Sequence, residues 1–417
     1  MKEGDALSLP KGWEIKKLGA VAKIIYGYTE KASYEEIGPK FLRITDIQDD
    51  GVNWETVPYC NIIDTDFEKY KLSTGDIVFA RTGATTGKSY LLNDPPKSVF
   101  ASYLIKVHIN KKELLAEYLF YFFQSKTYWD EINAGVSGSA QGGFNASKLS
   151  ELEISIPSYP EQLQIVSLLD NAFAAIAQAK ENVQRNLQNA KELFQSELNS
   201  IFMKKGEGWV EKRLGDVTSK IGSGATPRGG NESYKVVGIS LVRSMNVHDR
   251  FFKENNLAFI DDYQAKDLAN VTLEENDVLI NITGASVARC CIIPPKYLPA
   301  RVNQHVSIIR PKKELIDANF LNLLLISNFY KDQLLETGEQ GSTRQAITKV
   351  QLQNFIIHYP SLETQTQIVN QLETLSAETK KLECMYQKKL VGLEELKKSV
   401  LEKAFRGELV GKETLVQ

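Results

Sequence analysis

Apolar residues along this chain fall into two kinds of pattern. The first is short apolar runs bounded by polar residues: "KFLRITDI" from Lys40, "DIVFAR" from Asp76 and "YLIKVHI" from Tyr103. A second set follows later: "GISLVRS" from Gly238, "NDVLINI" from Asn276 and "HVSIIRP" from His305. Their length and β-branched content predict strands. Each set leads to a helix-like segment, "KKELLAEYLFYFFQS" from Lys111 and "KKELIDANFLNLLLIS" from Lys312, and then to a last strand ending in Pro-Ser at Pro157 and Pro360.

The second kind is a long stripe. Residues 161 to 204 hold no Gly and no Pro, and apolar or small residues recur at Ile165, Leu169, Ala172, Ile176, Ala179, Val183, Leu187, Ala190, Phe194, Leu198 and Ile201. The steps alternate 4 and 3, with an irregularity after Ala179, so the stripe predicts a heptad seam with a local change of supercoil. A matching stripe runs through Ile368, Leu372, Leu375, Thr379, Leu382, Tyr386, Leu390 and Leu393, and weakens at Lys397, the counterpart of Phe194. Each helix would run ~60 Å at about 1.5 Å per residue. A helix so long with one apolar stripe needs a partner. The matching seams predict that the two helices pair with each other rather than each lying only on its own globular unit.

The chain is thus a repeat. "GWEIKKLGAVAKI" from Gly12 faces "GWVEKRLGDVTSKI" from Gly208, and "GDIVFARTGATTGKSYLL" from Gly75 faces "NDVLINITGASVARCCII" from Asn276. "GSAQGGFNASKLSELEISIPS" from Gly138 faces "GSTRQAITKVQLQNFIIHYPS" from Gly341, and "QLQIV" at Gln162 faces "QTQIV" at Gln365. The offset stays near about 200 residues and drifts slightly, as loop insertions would make it do. The predicted class is mixed α/β (α+β): two β-rich globular domains joined by two long antiparallel coiled-coil helices, with an internal two-fold pseudo-repeat. The expected boundaries are 1–158, 159–206, 207–361 and 362–417.

Composition narrows the function. The 417 residues are 42% hydrophobic, enough for a core in each half. No run approaches a membrane span or a secretory signal, so a cytoplasmic location is expected. Net charge is −2, with 50 basic and 52 acidic residues, which argues mildly against a surface that grips nucleic acid everywhere but leaves room for a local basic face. Cys60, Cys290, Cys291 and Cys384 form no C-x-x-C pair. His108, His248, His305 and His358 are scattered, and no metal site is expected.

Two strings suggest chemistry. "ARTGATTGKS", from Ala80, approaches a phosphate-binding loop, but Gly83 and Gly87 are one residue too close, and the second copy, "NITGASVARC", lacks Gly-Lys-Ser. "NDPPK", from Asn93, is similar to the Asn/Asp-Pro-Pro-aromatic motif of DNA amino-methyltransferases, yet Lys97 stands where the aromatic should be. No catalytic set recurs in both copies, so no catalysis is expected. What recurs is a polar loop set. It comprises Arg43, Asp46, Arg81, Thr82, Thr85, Lys88, Ser139, Gln141 and Asn145 in the first copy. In the second it comprises Arg243, Asn246, Asn281, Thr283, Ser286, Arg289, Ser342, Arg344 and Gln345. Arg bridges guanine O6 and N7, and Asn or Gln bridges adenine N6 and N7, so these residue types suit base reading; they also suit simple solvation of loops.

Taken together, "LPKGWEIKKLGAV", "GWVEKRLGDV", "SIPSYPEQLQIV", "HYPSLETQTQIV" and the ending "LEKAFRGELV" resemble the specificity subunits of type I restriction-modification systems, over nearly the whole chain and in the same order. That resemblance implies two target recognition domains, each reading half of a split double-stranded DNA site, with the paired helices as a ruler between them. It implies two modification (methyltransferase) subunits that carry S-adenosylmethionine, restriction subunits for ATP-driven translocation and cleavage, and no cofactor in this chain. Two other readings remain open at this point: a DNA methyltransferase or nucleotide-driven enzyme acting alone, and a coiled-coil adaptor that does not touch DNA.

Overall fold

The computed structural model describes residues 10–48, 51–109, 112–137, 143–339 and 346–409. The chain divides into two units, one of Met1–Val183 with Lys388–Gln417, the other of Gln184–Gln387.

The first unit is built on a four-stranded antiparallel sheet, in the order Ala22–Tyr26, Leu104–Ile109, Ile77–Ala80, Ser89–Leu91. Strand Ile77–Ala80 is buried throughout, which is why it reads as an unbroken apolar run. Its side chains alternate between two cores, as the two-residue period of a strand requires. Ile77 and Phe79 join Ile105 and Val107 under the helices, while Val78 and Ala80 join Leu42, Phe100 and Leu104 on the other face. A parallel pair, Lys40–Leu42 with Ser98–Phe100, lies beside that second core. The unit's two ends meet in an antiparallel pair that sets Glu14 opposite Ile156 and Lys17 opposite Glu153.

The second unit repeats this order: Thr218–Ser223, Val306–Pro311, Val278–Asn281, Cys290–Ile292. It adds a strand, Ala258–Ile260, to the parallel pair of Ile239–Val242 and Ala300–Val302. Val210 stands opposite Tyr359 and Arg213 opposite Ile356. Each helix-like segment forms one helix, Ala116–Phe122 or Ala318–Ile326, and a second helix follows directly after it, Lys126–Ser137 or Asn328–Glu339.

The long stripes form the helices Tyr159–Lys204 and Leu362–Phe405. Every seam position named above is buried or half-buried. The first turn of each helix carries a fully buried glutamine. Gln162 accepts from the Leu115 amide (2.8 Å) and donates to the Glu113 and Pro157 carbonyls at 2.7 and 3.0 Å. Gln365 does the same with Asp317, Leu315 and Pro360, at 2.8, 3.0 and 2.9 Å. These amides satisfy backbone groups that no helix or ladder serves, and they fix the angle at which each helix leaves its sheet.

Both helices contribute to each unit. In the first, Leu401 and Ala404 are buried among the core side chains, and Phe405 meets the rings of Tyr118 and Phe122 at 5.2 and 5.5 Å. Gly407 lies there at φ +72°, and a Cβ on it would come within 2.3 Å of Pro10, so the opening "LPKGW" and the closing "AFRGE" fit only with glycine at that position. In the second unit Leu198 and Phe202 fill the equivalent place, with Phe202 5.4 Å from Phe320. Lys180 pairs with Glu394 in the first unit, and Gln371 donates to Glu197 (3.0 Å) in the second. Lys397 and Phe194 have different partners: Lys397 lies 4.8 Å from the Phe173 ring, and Phe194 carries the Arg250 guanidinium at 4.2 Å. The weak seam position is therefore covered by cation–π contact.

Candidate nucleic-acid interface

The Thr-Gly-Ala strings form matching hairpin turns. In the first, Thr86 N donates to Gly83 O, Gly87 N to Ala80 O and Lys88 N to Thr85 O, at 3.1, 2.9 and 2.9 Å. In the second, Val287 N donates to Gly284 O, Ala288 N to Asn281 O and Arg289 N to Ser286 O, at 3.0, 2.9 and 3.2 Å. The amides that a phosphate-binding loop would aim at its ligand are thus bonded within the turn. Gly87 has a separate reason to be glycine: its φ is +94°, and a Cβ would meet Trp129 and Ile132 at 2.8 Å. "NDPPK" is a turn after the strand Ser89–Leu91.

Two further segments converge on each hairpin. Phe144 N donates to Arg81 O (2.9 Å) and Ile347 N to Ile282 O (2.8 Å), which places the chain after each Gly-Ser string beside the turn. Ser139, Gln141, Ser342, Arg344 and Gln345 lie outside the described residues. The other segment is the 3-10 turn at 44–46 or 244–246. In the second unit Asn281 Nδ2 ties it to the hairpin, donating to Ser244 O (2.9 Å), to Val247 O (3.4 Å) and to Ser286 Oγ (3.1 Å).

The expected contact residues sort by burial. Asn246 and Asn281 are fully buried, and Asp46 has 8% of its side chain exposed. Asp46, Asn246 and the Asn281 amide nitrogen are hydrogen-bonded within the turns. Asn145 caps the helix Ala146–Glu151, accepting from Lys148 N (2.9 Å). Arg43 is bound through Nε and Nη2 to Asp46 at 3.0 and 2.8 Å, and this hydrogen bond raises the guanidinium's pKa. Arg243, whose turn has Asn246 in place of the aspartate, lies 5.2 Å from the Tyr234 ring and donates to Asn256 O. Arg81 donates to Ser102 O (2.8 Å) and lies 5.2 Å from the Tyr26 ring. Thr82, Thr85, Thr283, Ser286 and Arg289 are half-exposed on the turns, and Lys88 is exposed.

Pattern reading missed the neighbours that complete this surface. Tyr103 is 59% exposed at the end of strand Leu104–Ile109, and His305 holds the matching place before Val306. A polar or aromatic residue directly before an apolar strand was the available signal. His108 is bonded to buried Asp76 (2.6 Å), and His358 to Tyr330 and Glu211 at 3.2 and 3.1 Å. Burial pushes the Cys60 thiol up to about 11 and Cys291 up to about 12, out of nucleophile range at neutral pH. Among the described residues no cluster of three His, Cys, Asp or Glu side chains is placed to hold a metal, and no helix is long and apolar enough to cross a membrane.

A duplicated mixed α/β domain that presents a polar turn surface beside a long helix is the class of protein these features define. Residues 10–185 and 206–390 each match the family described as type I restriction modification DNA specificity domain, and the chain belongs to that family. It is 24% identical to the EcoKI specificity subunit of Escherichia coli over 96% of this chain and 90% of that protein. It is 23% identical to the MjaVIII specificity subunit of Methanocaldococcus jannaschii, over 90% of this chain and 88% of that one. Among solved structures, the HsdS subunit from Thermoanaerobacter tengcongensis superposes with a TM-score of 0.63 at 20% identity, covering 96% of this chain and 98% of its own. A chain from a type I R-M system structure superposes with a TM-score of 0.71 at 20% identity, covering 96% of this chain and all of its own.

Proposed function

We propose that each domain reads one half of a bipartite, asymmetric DNA site as the specificity subunit of a type I complex. The two long helices, packed antiparallel, set the unread spacer and dock two methyltransferase subunits, which in turn recruit restriction subunits. The observation that carries this reading is one turn scaffold presented twice with different side chains, Arg81, Thr85 and Lys88 against Ile282, Ser286 and Arg289. A shared scaffold with divergent surfaces is what two independent half-sites require. Base reading belongs to Arg81, Thr82, Thr85 and Lys88 in the first domain, and to Arg243, Thr283, Ser286 and Arg289 in the second. Ser139, Gln141, Ser342, Arg344 and Gln345, on the Gly-Ser strings, are proposed as DNA contacts on the chemistry of their side chains. The chain itself is non-catalytic, and S-adenosylmethionine belongs to the partner. In sequence terms the domains are 1–158 and 207–361, and the helical segments 159–206 and 362–417.

The ruler is tested by length. Matched four-residue insertions near Gln184 and Gln387 add ~6 Å and about one turn, so the seam survives. The complex, assembled with its modification subunit, should then methylate the same two half-sites with a spacer longer by about one or two base pairs, at ~3.4 Å per pair. Two-residue insertions turn the seam by about 200° and should abolish assembly. An unchanged spacer preference in an active four-residue variant would show that the helices are not the ruler.

A further inference from the structure

In the second domain a cavity of about 480 Å³ opens between the two turns, lined by Ser244, Met245, Thr283, Ser286, Arg289 and His305. Two of its hydroxyls have their oxygens engaged as acceptors. Thr226 donates its hydroxyl hydrogen to Gln304 Oε1, which leaves Gln304 Nε2 facing His305 Nε2 at 3.1 Å. An amide N–H there makes Nε2 the acceptor, so the proton of the neutral ring is on Nδ1. Nδ1 in turn faces Thr283 Oγ1 and donates to it. The Thr283 oxygen is occupied as an acceptor, and its own hydrogen is left to point elsewhere. The Ser286 hydroxyl is in the same state, because Asn281 Nδ2 donates to its oxygen.

Several backbone carbonyls of the lining are already used. Ser244 O takes the Asn281 amide and Gly284 O takes Val287 N. No carboxylate lines the cavity, and Arg289 has no ion-pair partner among the described residues. The side-chain donors of the lining are thus the Ser244, Thr283 and Ser286 hydroxyls and the Arg289 guanidinium.

We propose that this cavity is a donor-rich, carboxylate-free socket for a cluster of acceptor atoms on DNA, and that Gln304 and His305 are positioning residues that aim the Thr283 hydroxyl into it. The proposal rests on the DNA-reading function above. Two parts of DNA carry such acceptors, the O6/N7 edge of guanine and the phosphodiester oxygens. The first domain has no such relay at this place, since Tyr103 stands where His305 does and Ser102 where Gln304 does.

The experiment uses the full chain assembled with its modification subunit, with DNA affinity measured against salt and methylated positions read by sequencing. Arg289→Ala and Thr283→Val should each lower affinity, Arg289→Ala by roughly tenfold or more. Relaxation of one position to other bases identifies a guanine. A uniform loss across sequences, with the salt slope reduced by about one, identifies a phosphate. The positioning role is tested with Gln304→Glu. A carboxylate accepts from His305 Nε2, which moves the ring proton off Nδ1 and turns the Thr283 hydroxyl inward to donate to the ring. Gln304→Glu should therefore lower affinity on its own and cause no further loss in a Thr283→Val background, with the shift of the proton visible in the imidazole ¹⁵N spectrum. Additive losses would overturn the positioning role. Unchanged affinity, specificity and salt slope in Arg289→Ala and Thr283→Val would overturn the socket. If the unsubstituted complex methylates no specific sequence, the DNA-reading function itself fails, and the socket with it.

Discussion

The two domains share a sheet order and a turn geometry but differ in what the turns do with their charge. In the first, Arg43 is bound by Asp46, and Arg81 is fixed by the Ser102 carbonyl beside Tyr26. In the second, asparagine replaces that aspartate, Ile282 replaces Arg81, and the donors gather instead around Arg289, Thr283 and Ser286. A scaffold whose turns are closed by main-chain hydrogen bonds tolerates this divergence, and the position can even join the core, as Ile282 does in the second unit. The domains differ in closure too. The second is completed by chain that directly precedes it, through Leu198 and Phe202, whereas the first is completed by the far end of the sequence, through Leu401, Ala404 and Phe405.

The difference in closure predicts the largest effect. Ending the chain at Gln387 removes Leu401 and Phe405 from the first core. Each large-to-small core loss costs about 2–5 kcal/mol, and a domain's whole stability is about 5–15 kcal/mol. Calorimetry of the shortened chain should show the second unit's transition retained and the first unit's lost. Two retained transitions would mean that the first domain closes without its C-terminal segment.

Where the domains agree, they should respond alike. Gln162→Ala and Gln365→Ala each leave a buried amide and two carbonyls without their partners. The expected cost is about 3 kcal/mol in each case, since one orphaned buried group costs about 1–3 kcal/mol. Urea midpoints measure it, and a large cost in one unit with none in the other would end the equivalence of the two clamps.

Much of this organisation was legible in the sequence, and the failures are instructive. The strands showed because buried runs such as "IVFA" have no polar interruption, and the long helices showed because their seam has a period and no Gly or Pro. The second short helix of each pair did not show, since Lys126–Ser137 and Asn328–Glu339 begin just past the apolar strings and carry no comparable apolar run. The closing of the first domain by residues 401–405 depends on contacts between opposite ends of the chain, for which periodicity carries no signal. At the interface, residue type alone could not separate Asn281, buried and holding a turn, from Arg289, which lines a cavity. Burial made that distinction.

The arginine contrast predicts a smaller effect. Arg43→Ala leaves Asp46 without its charged partner and should cost about 1.5–3 kcal/mol of stability, with little change in DNA affinity. Arg243→Ala breaks no ion pair and should do the reverse, losing about 1–3 kcal/mol of binding if it reads a base. Paired denaturation and DNA titrations of the two variants measure this, and equal losses of affinity would erase the distinction between a neutralised and an available arginine.

The smallest effect lies between the helices. The hydrogen bond from Lys180 holds the Glu394 pKa below its ordinary value, and in the second unit another contact between the helices joins Glu197 to an uncharged Gln371. A depressed carboxylate pKa contributes stability that is present above the unfolded value and lost as pH falls through the folded one. The side chains of Lys180 and Glu394 are 44% and 51% exposed, so solvent screening limits the pair to about 0.2–1 kcal/mol. A double-mutant cycle with Lys180→Gln and Glu394→Gln should find that coupling at neutral pH. It should fade in acid, below the ordinary glutamate range, and in high salt, where exposed charges are screened. The same cycle on Glu197 and Gln371 should be less sensitive to salt, because only one partner carries charge. A coupling in the first unit indifferent to both acid and salt would show that Lys180 and Glu394 touch without attracting, and that apolar packing alone holds the helices together there.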